Sequence, residues 1–274
     1  MHPIIALLTD FGTTDIYVGV MKGVIATFAP TAQLIDLTHA VPPQNVMHAA
    51  YLLKAAYRYF PPQTIFLCVV DPGVGTNRRP VAIRTDHGLF IAPDNGLLSP
   101  ILQAQQIHCA VELPTPGESS HTFHGRDIFA PAAGRLARGE SLEELGSAIA
   151  SNSLIGGIQP RIEVVSAKKI KGEVIRIDHF GNLITSLGTF RWLDAEQIAL
   201  DGHNLVLPVA AVRVELSTPF VHRARLYRTY GDAPPSGLIA LISSDGQLEL
   251  AVNGGSAAEQ TKAQIGHDIT LLIK

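Results

Sequence analysis

The sequence predicts an α/β protein in two parts: an N-terminal α/β domain with a mainly parallel sheet over residues 1–157, and a small C-terminal β-barrel domain over residues 165–274. Three observations carry this reading. Short apolar runs alternate with helical stretches through the first half, and the runs are continuously apolar, as strands buried on both faces require. Helical signals then fade past the Gly/Pro stretch "GGIQP", residues 156–160. Beyond it the chain reads as β-rich segments separated by Gly, Pro and Asp.

The elements follow in order. "IIALLTD" is a first strand, and the apolar positions 17, 20, 21, 24, 25 and 28 of "DIYVGVMKGVIATFAP" have helical spacing. Pro30 stops that helix. "QLIDLTH" is a strand, and "NVMHAAYLLKAAYRYF" is an amphipathic helix closed by Pro61 and Pro62. "TIFLCVVD", "PVAIRTD" and "GLFIAP" are further strands, while "GLLSPILQ", "DIFAPAAGRLARG" and "SLEELGSAI" read as helices. In the second half "GEVIRIDHFGNLITSL", "NLVLPVAAVRVEL", "GLIALISSDGQLELAVNGG" and "HDITLLIK" are the β-rich segments. Asp245-Gly246 between two of these runs is a hairpin signal.

Bulk properties bound the function. Of the 274 residues, 46% are hydrophobic and 16% charged, which describes a globular chain with ample length for a core. A net charge of −3 and the lack of a Lys/Arg run give no footprint for nucleic acid. Cys68 lies in an apolar strand as a small hydrophobe, and neither it nor Cys109 has the spacing of a disulfide framework or a zinc site. That usage fits a reducing cytosol. The opening "MHPIIALLTDFG" lacks the basic start and cleavage site of a signal peptide, and no apolar run approaches the ~20 residues that span a bilayer. A cytoplasmic protein with no membrane role is the expectation.

Ligands of open α/β sheets bind beyond the carboxyl ends of the strands, and three polar clusters fall there. In "TDFGTTD", Asp10 ends the first strand, where a carboxylate can accept two hydrogen bonds from a ribose diol. Asp15 either caps the next helix or binds a ligand. In "VVDPGVGTNRRP", Asp71 precedes Arg78 and Arg79; the glycines lack the third glycine of a dinucleotide loop and the Gly-Lys-Ser/Thr of a P-loop. An Asp–Arg brace of the turn and a functional site stand level on these residues. In "TFHGRDIFAP", His124, Arg126 and Asp127 occupy a loop-to-helix junction, and His124 gains meaning only by converging on Asp71 and Arg78.

Taken together, "TDFGTTDIYVGVMKGVI", "DLTHAVPPQNV", "VVDPGVGTNRR", "IAPDNGLLS", "TFHGRDIFAP", "IDHFGNLITS" and "SSDGQLELAVNGG" resemble the successive motifs of the S-adenosyl-L-methionine (SAM) hydroxide adenosyltransferases, over nearly the whole chain. These are adenosine-forming SAM hydrolases, related to enzymes that make 5′-fluoro- and 5′-chloro-5′-deoxyadenosine. The resemblance implies an N-terminal α/β domain, a C-terminal β-barrel, and a homotrimer whose sites lie between the N-domain of one subunit and the C-domain of its neighbour. It implies SAM as substrate, adenosine and L-methionine as products, and neither cofactor nor metal.

By resemblance, Asp71, Arg78 and His124 are the catalytic set that holds water or hydroxide, with Arg79 the adjacent ambiguity; Asp71 and His124 orient the water and accept its proton. Asp10 matches the residue gripping the ribose hydroxyls. Asn182 matches an adenine-binding position, and Phe180 and Tyr230 match aromatic positions flanking the base. Asp178 and Ser244 match positions near the methionine end, with Asp15 assisting. Glu249 and Val252 lie where the family's hairpin contacts the nucleoside, Val252 through its backbone. The halogenating relatives lack the Asp and His that stand here as Asp71 and His124. Gly125 resembles the chlorinating enzyme's halide pocket, and Gln44 replaces an aromatic that covers the ribose in the fluorinating enzyme. The alternatives are a SAM-dependent halogenase, a non-catalytic SAM or adenosine binder, and a calcium-dependent nucleoside hydrolase suggested by Asp10 and Asp15.

Overall fold

The computed structural model describes residues 2–157, 159–203 and 205–274. Met1, Ile158 of the Gly/Pro stretch and Asn204 at the head of its β-rich segment lie outside the described residues. The chain forms two compact units, Met1–Gln159 and Pro160–Lys274.

In the first unit the order is β1 (Ile4–Thr9), α1 (Tyr17–Phe28), β2 (Gln33–Thr38), α2 (Val46–Ala56), β3 (Thr64–Val69), β4 (Pro80–Thr85), β5 (Gly88–Pro93), α3 (Ser99–Ala104), β6 (Ile107–Glu112), α4 (Ala130–Ala137), α5 (Leu142–Leu145) and β7 (Ser147–Ala148). The sheet runs β2-β1-β3-β5-β4-β6-β7. Only the pairings of β1 with β2, β1 with β3 and β3 with β5 are parallel. The pairs β4–β5, β4–β6 and β6–β7 are antiparallel, so the sheet is mixed, not mainly parallel. The cause is local: β4 and β5 are joined through Asp86 and His87 alone, far too short for a parallel crossover.

Alternation along the strands builds a core on each face. Ile5, Leu7, Leu67 and Ile91 pack with Met21, Ile25, Phe129 and Leu136 of the helical layer on one side. Ala6, Leu8, Phe66, Cys68 and Phe90 pack with Ala49, Leu53 and Ile101 on the other. Cys68 is fully buried and its thiol is pushed up by burial, as befits a core hydrophobe. Asn45 caps α2 by accepting the His48 N–H at 2.9 Å. "SLEELGSAI" is helical only over Leu142–Leu145; Gly146 then packs directly on the Glu112 backbone, and Ser147–Ala148 joins β6 as an edge strand.

The second unit contains β8 (Glu163–Ser166), β9 (Lys169–Ile177), β10 (Leu183–Trp192), β11 (Gln197–Leu200), β12 (Leu205–Pro208), β13 (Val212–Ser217), β14 (Val221–Arg225), β15 (Leu238–Ile242), β16 (Gln247–Val252), α6 (Ala257–Thr261) and β17 (Asp268–Ile273). All its ladders are antiparallel, along β12-β11-β10-β9-β17-β13-β14, with β16 joining β10 to β15. Among the described residues no ladder closes this sheet: just past β14, Leu226 pairs with Ala240 of β15 as an isolated bridge and Tyr227 N donates to Ala240 O at 2.9 Å, so the closed barrel is not formed. Asp245-Gly246 does turn a hairpin, with Gly246 at φ +83° directly before β16. Leu187, Phe190, Leu216, Leu250 and Leu271 are central to its core.

Candidate active site

The parallel register aligns Thr9 of β1 with Val69 of β3, so the residues that follow, Asp10 and Asp71, emerge at the same end of the sheet. After Asp71 the chain turns tightly: Val74 N donates to Asp71 O at 3.2 Å and Thr76 N to Gly73 O at 3.1 Å. Gly75 at φ +77° completes the turn where a Cβ would meet the His121 carbonyl at 2.5 Å. This folds Arg78 back onto the carboxylate. Its Nε lies 2.9 Å from both Asp71 oxygens, and Nη2 makes a further short contact with Oδ2. Both side chains are buried, at 8% and 5% exposure.

Arg78 Nη2 also reaches His124 Nδ1 at 2.7 Å. A guanidinium only donates, so Nδ1 accepts and the ring proton of a neutral His124 sits on Nε2. Burial, reinforced by the Arg78 charge, pushes His124 below the ordinary histidine value against the pull of Asp71 and Asp127. His124 immediately precedes a π-helical turn, Gly125–Phe129, an irregularity common at functional sites. The turn places the Phe129 ring under the Arg78 guanidinium, 5.2 Å from centroid.

Arg79 faces elsewhere. It donates to Asp94 from Nε at 3.1 Å and Nη2 at 2.5 Å, and to Ser153 O at 2.6 Å. Of the adjacent arginines, Arg78 is therefore the one that pairs with Asp71 and meets His124, and Arg79 pairs with Asp94 instead.

Asp10, Asp71 and His124 open on one cavity of about 390 Å³, whose wall also includes Phe11, Tyr17 and Gln44. Asp10 Oδ2 accepts the Gln44 N–H at 2.8 Å, leaving Oδ1 for a ligand, and Gln44 makes that bond from a left-handed backbone at φ +63°. Phe11 and Tyr17 each meet Phe123 edge-on, at 6.0 and 5.2 Å between ring centroids, and lie tilted at 6.0 Å from each other. These aromatics escape residue-by-residue reading because each looks like ordinary core; Phe11 in "TDFG" was adjacent to the signal. Asp15 is exposed, lies outside the cavity wall, and does not cap α1, whose N-cap position is Ile16 without a side-chain bond. At Gly125 a Cβ would crowd Met21 Sδ at 3.1 Å and the Phe123 and Phe11 rings at 3.2 and 3.3 Å, so the glycine is closely packed against these side chains. Arg126 pairs with its neighbour Asp127 at 2.6 Å, and Asp127 anchors the Ser120 N–H at 2.7 Å.

The second unit gathers its own cluster. Asp178 organises the turn between β9 and β10: Oδ1 accepts Phe180 N at 2.9 Å and Asn182 N at 2.8 Å, and Oδ2 accepts Asn182 Nδ2 at 2.9 Å. Asn182 Nδ2 reaches Tyr230 OH at 3.2 Å, and Tyr230 donates to Glu249 Oε1 at 3.0 Å. Both hydrogens of the Asn182 amide are thus engaged and its Oδ1 is the open acceptor. Burial pushes the Glu249 carboxyl up, and burial with Glu249 alongside pushes Tyr230 up to about 12. Phe180 projects with 74% exposure beside this network. Val252 ends β16 with its carbonyl accepting Gly255 N at 3.2 Å. Ser244 is exposed at the β15–β16 turn, and no side-chain hydrogen bond joins it to the network among the described residues. Nor, among those residues, does any group of three or more His, Cys, Asp or Glu stand at metal-holding distance.

The mixed-sheet unit with its strand-end cluster, followed by an antiparallel β unit, defines an enzyme class that sequence comparison identifies. The SAM hydroxide adenosyltransferase N-terminal domain matches residues 5–146 and the corresponding C-terminal domain matches residues 172–270, and the chain belongs to this family. The (R)-S-adenosyl-L-methionine hydrolase of Salinispora arenicola is 40% identical over 94% of this chain and 93% of its own. The enzyme of that name from Thermus thermophilus is 38% identical over 99% of this chain and all of its own. More distantly, a fluorinase of an Actinoplanes species is 28% identical over 98% of this chain and 97% of its own. A Thermotoga maritima structure, described only as an uncharacterized conserved protein, superposes at a TM-score of 0.83 with 34% identity, covering 98% of this chain and 99% of the other.

Proposed function

We propose that the protein hydrolyses SAM to adenosine and L-methionine by attack of water or hydroxide on C5′ of the ribose. The observation that carries this is the Asp71–Arg78–His124 cluster, whose Asp71 and His124 line one cavity with Asp10, in a chain whose named relatives at up to 40% identity are SAM hydrolases. Water plus the SAM cation gives adenosine, methionine and one proton. Methionine leaves as a neutral thioether and needs no protonation, so the chemical demand is an aligned nucleophile at ~3–3.5 Å from carbon in a dry pocket. Arg78 stabilises hydroxide character, neutral His124 orients the oxygen from Nε2–H, and Asp71 is the remaining acceptor for the proton. The tautomer thus refines the expectation for His124: while Arg78 occupies Nδ1, the ring orients the water and does not take its proton.

For the substrate, Asp10 takes the ribose hydroxyls through its open oxygen, and Asn182 Oδ1 accepts from the adenine amino group between Phe180 and Tyr230. Glu249 and the Val252 backbone line the nucleoside side, and Asp178, Ser244 and Asp15 serve the methionine end; Asp178 also holds the Asn182 amide in place for the base. We further propose a cytoplasmic, metal-independent homotrimer whose C-terminal unit approximates a barrel. Among the described residues no helix is long and apolar enough to cross a membrane.

The test is direct. Pure protein with SAM should release adenosine and methionine in equal amounts by chromatography, and EDTA should not stop it. Chlorinated or fluorinated nucleoside in the presence of halide would move the assignment to the halogenases, and binding without turnover would leave a sensor. A mass measurement in solution reads the trimer.

A further inference from the structure

We propose that the turn "PDNG", residues 93–96, is the positioning element that sets Asp71 and Arg78 against each other, through Asn95 on one side and Asp94 on the other. This rests on the reading of Asp71, Arg78 and His124 as the water-holding set. Asn95 Nδ2 donates to Val70 O at 2.9 Å, gripping the buried backbone immediately before Asp71. Its amide is fixed in that sense, because Oδ1 accepts Leu97 N at 3.2 Å. Asp94, 4% exposed in its side chain, grips the residue immediately after Arg78 by the paired contacts of Arg79. The backbone adds a third tie, Asp94 N to Arg79 O at 2.8 Å.

The far oxygen of Asp94 accepts Ile155 N at 2.8 Å, and Arg79 also holds Ser153 O, so the clamp is itself anchored to the end of the unit. Residues 72–77 between the two clamped ends are exposed or half-exposed and hold their own turn through Val74 N to Asp71 O and Thr76 N to Gly73 O, while the ties to Asp94 and Asn95 fix where the two ends of that turn stand on the sheet. One short turn therefore defines both ends of the loop that carries the cluster. A side chain that holds neighbours of reacting groups acts on geometry, and a misplacement of about 1 Å costs about 100-fold in rate.

Three variants test the clamp: Asn95→Ala removes the donor, Asn95→Asp turns an acceptor onto the Val70 carbonyl, and Arg79→Met releases Asp94. Arg84→Met, which breaks the exposed 3.0 Å pair with Glu143, is the control for losing an arginine pair of no positional consequence. Each clamp variant should lower kcat on SAM about 10- to 100-fold, with KM within about 3-fold of wild type, as expected for an interaction that matters in the transition state. A second readout needs no turnover. His124 is faced by Arg78, Asp71, Asp127 and His121. Withdrawing Arg78 should raise the His124 titration midpoint observed by NMR, whereas the control should not move it. Variants that fold, keep wild-type kcat and leave the His124 titration in place overturn the proposal. So does a loss of activity that appears wholly in KM and tracks the melting temperature. A wild-type chain that made no adenosine would sink the functional reading alone, since the titration would still judge the clamp.

Discussion

His124 carries the sharpest consequences at the residue scale, because one bond decides its chemistry. Arg78 can only donate to Nδ1, so protonating the ring sets an N–H against a guanidinium and breaks the cluster. Activity should therefore fall in acid, and because the imidazole is held below its ordinary value, the fall should lie below about pH 6.5. A pH–rate profile of kcat checks this; an acid limb well above that value would contradict the buried, Arg78-linked imidazole. Stability has the same sign. A depressed folded value means the unfolded chain takes up protons first, so His124 contributes nothing unfavourable above about pH 6.5 and increasingly destabilises the fold as pH drops below it. Asp71 is coupled differently, since its removal strands a buried guanidinium. Asp71→Ala and His124→Ala should each lower kcat about 100- to 1,000-fold, the scale of losing one preorganised polar group in a site. SAM binding, read by calorimetry, should change far less, and unchanged turnover in both would end the assignment.

Turns rather than helices or strands position the chemistry at the scale of elements. The Asp178–Gly181 turn is the clearest case: Gly181 sits at φ +81°, and a Cβ there would run into the Ser256 side chain. Gly181→Ala should cost roughly 1–2 kcal/mol from the left-handed backbone alone. It should also shift Asn182, raising KM for SAM about 10-fold while leaving the Asp71 cluster and the His124 titration intact. Periodicity in the sequence is enough to read β1, α1, β2, α2 and β3, because the helices carry apolar residues at helical spacing and the strands are short runs bounded by Pro or polar turn residues. It misses β6, whose "IHCAVE" is a short run with no clear period, interrupted by His108 and ended by Glu112, next to the edge of the sheet. It also makes the sheet too parallel, since strand direction in "PVAIRTDHGLFIAP" depends on a two-residue connection and not on apolar content. Asp71, Arg78 and His124 are legible as polar residues at element ends, but their convergence is not: the pair is 7 residues apart and His124 lies 46 beyond Arg78. The contacts of Asp94 and Asn95 are not legible in the sequence, because they join the Arg79 side chain and the Val70 carbonyl, 15 and 25 residues away.

On the scale of the whole molecule, the polar groups fall into two sets, one in each compact unit. In the proposed function the first provides the water-holding cluster and the carboxylate for the ribose diol, and the second the open Asn182 acceptor beside the exposed rings of Phe180 and Tyr230. Neither set alone contains all the residues proposed for SAM, which carries a base, a ribose and an amino acid. In the proposed trimer the N-terminal set of one subunit and the C-terminal set of its neighbour complete one site, and that arrangement has a consequence no single-chain site shares. Asp71→Ala damages only the first set and Asn182→Ala only the second, so each variant alone should be nearly inactive. When the two are co-refolded in equal amounts, a site is intact if its first half comes from the Asn182→Ala chain and its second from the Asp71→Ala chain. With free exchange around a closed ring that is one half times one half, so about a quarter of the sites should recover. Adenosine release near a quarter of the wild-type rate supports shared sites, and failure of any recovery in mixtures shown by mass to be hybrid trimers would place both sets of one site on a single chain.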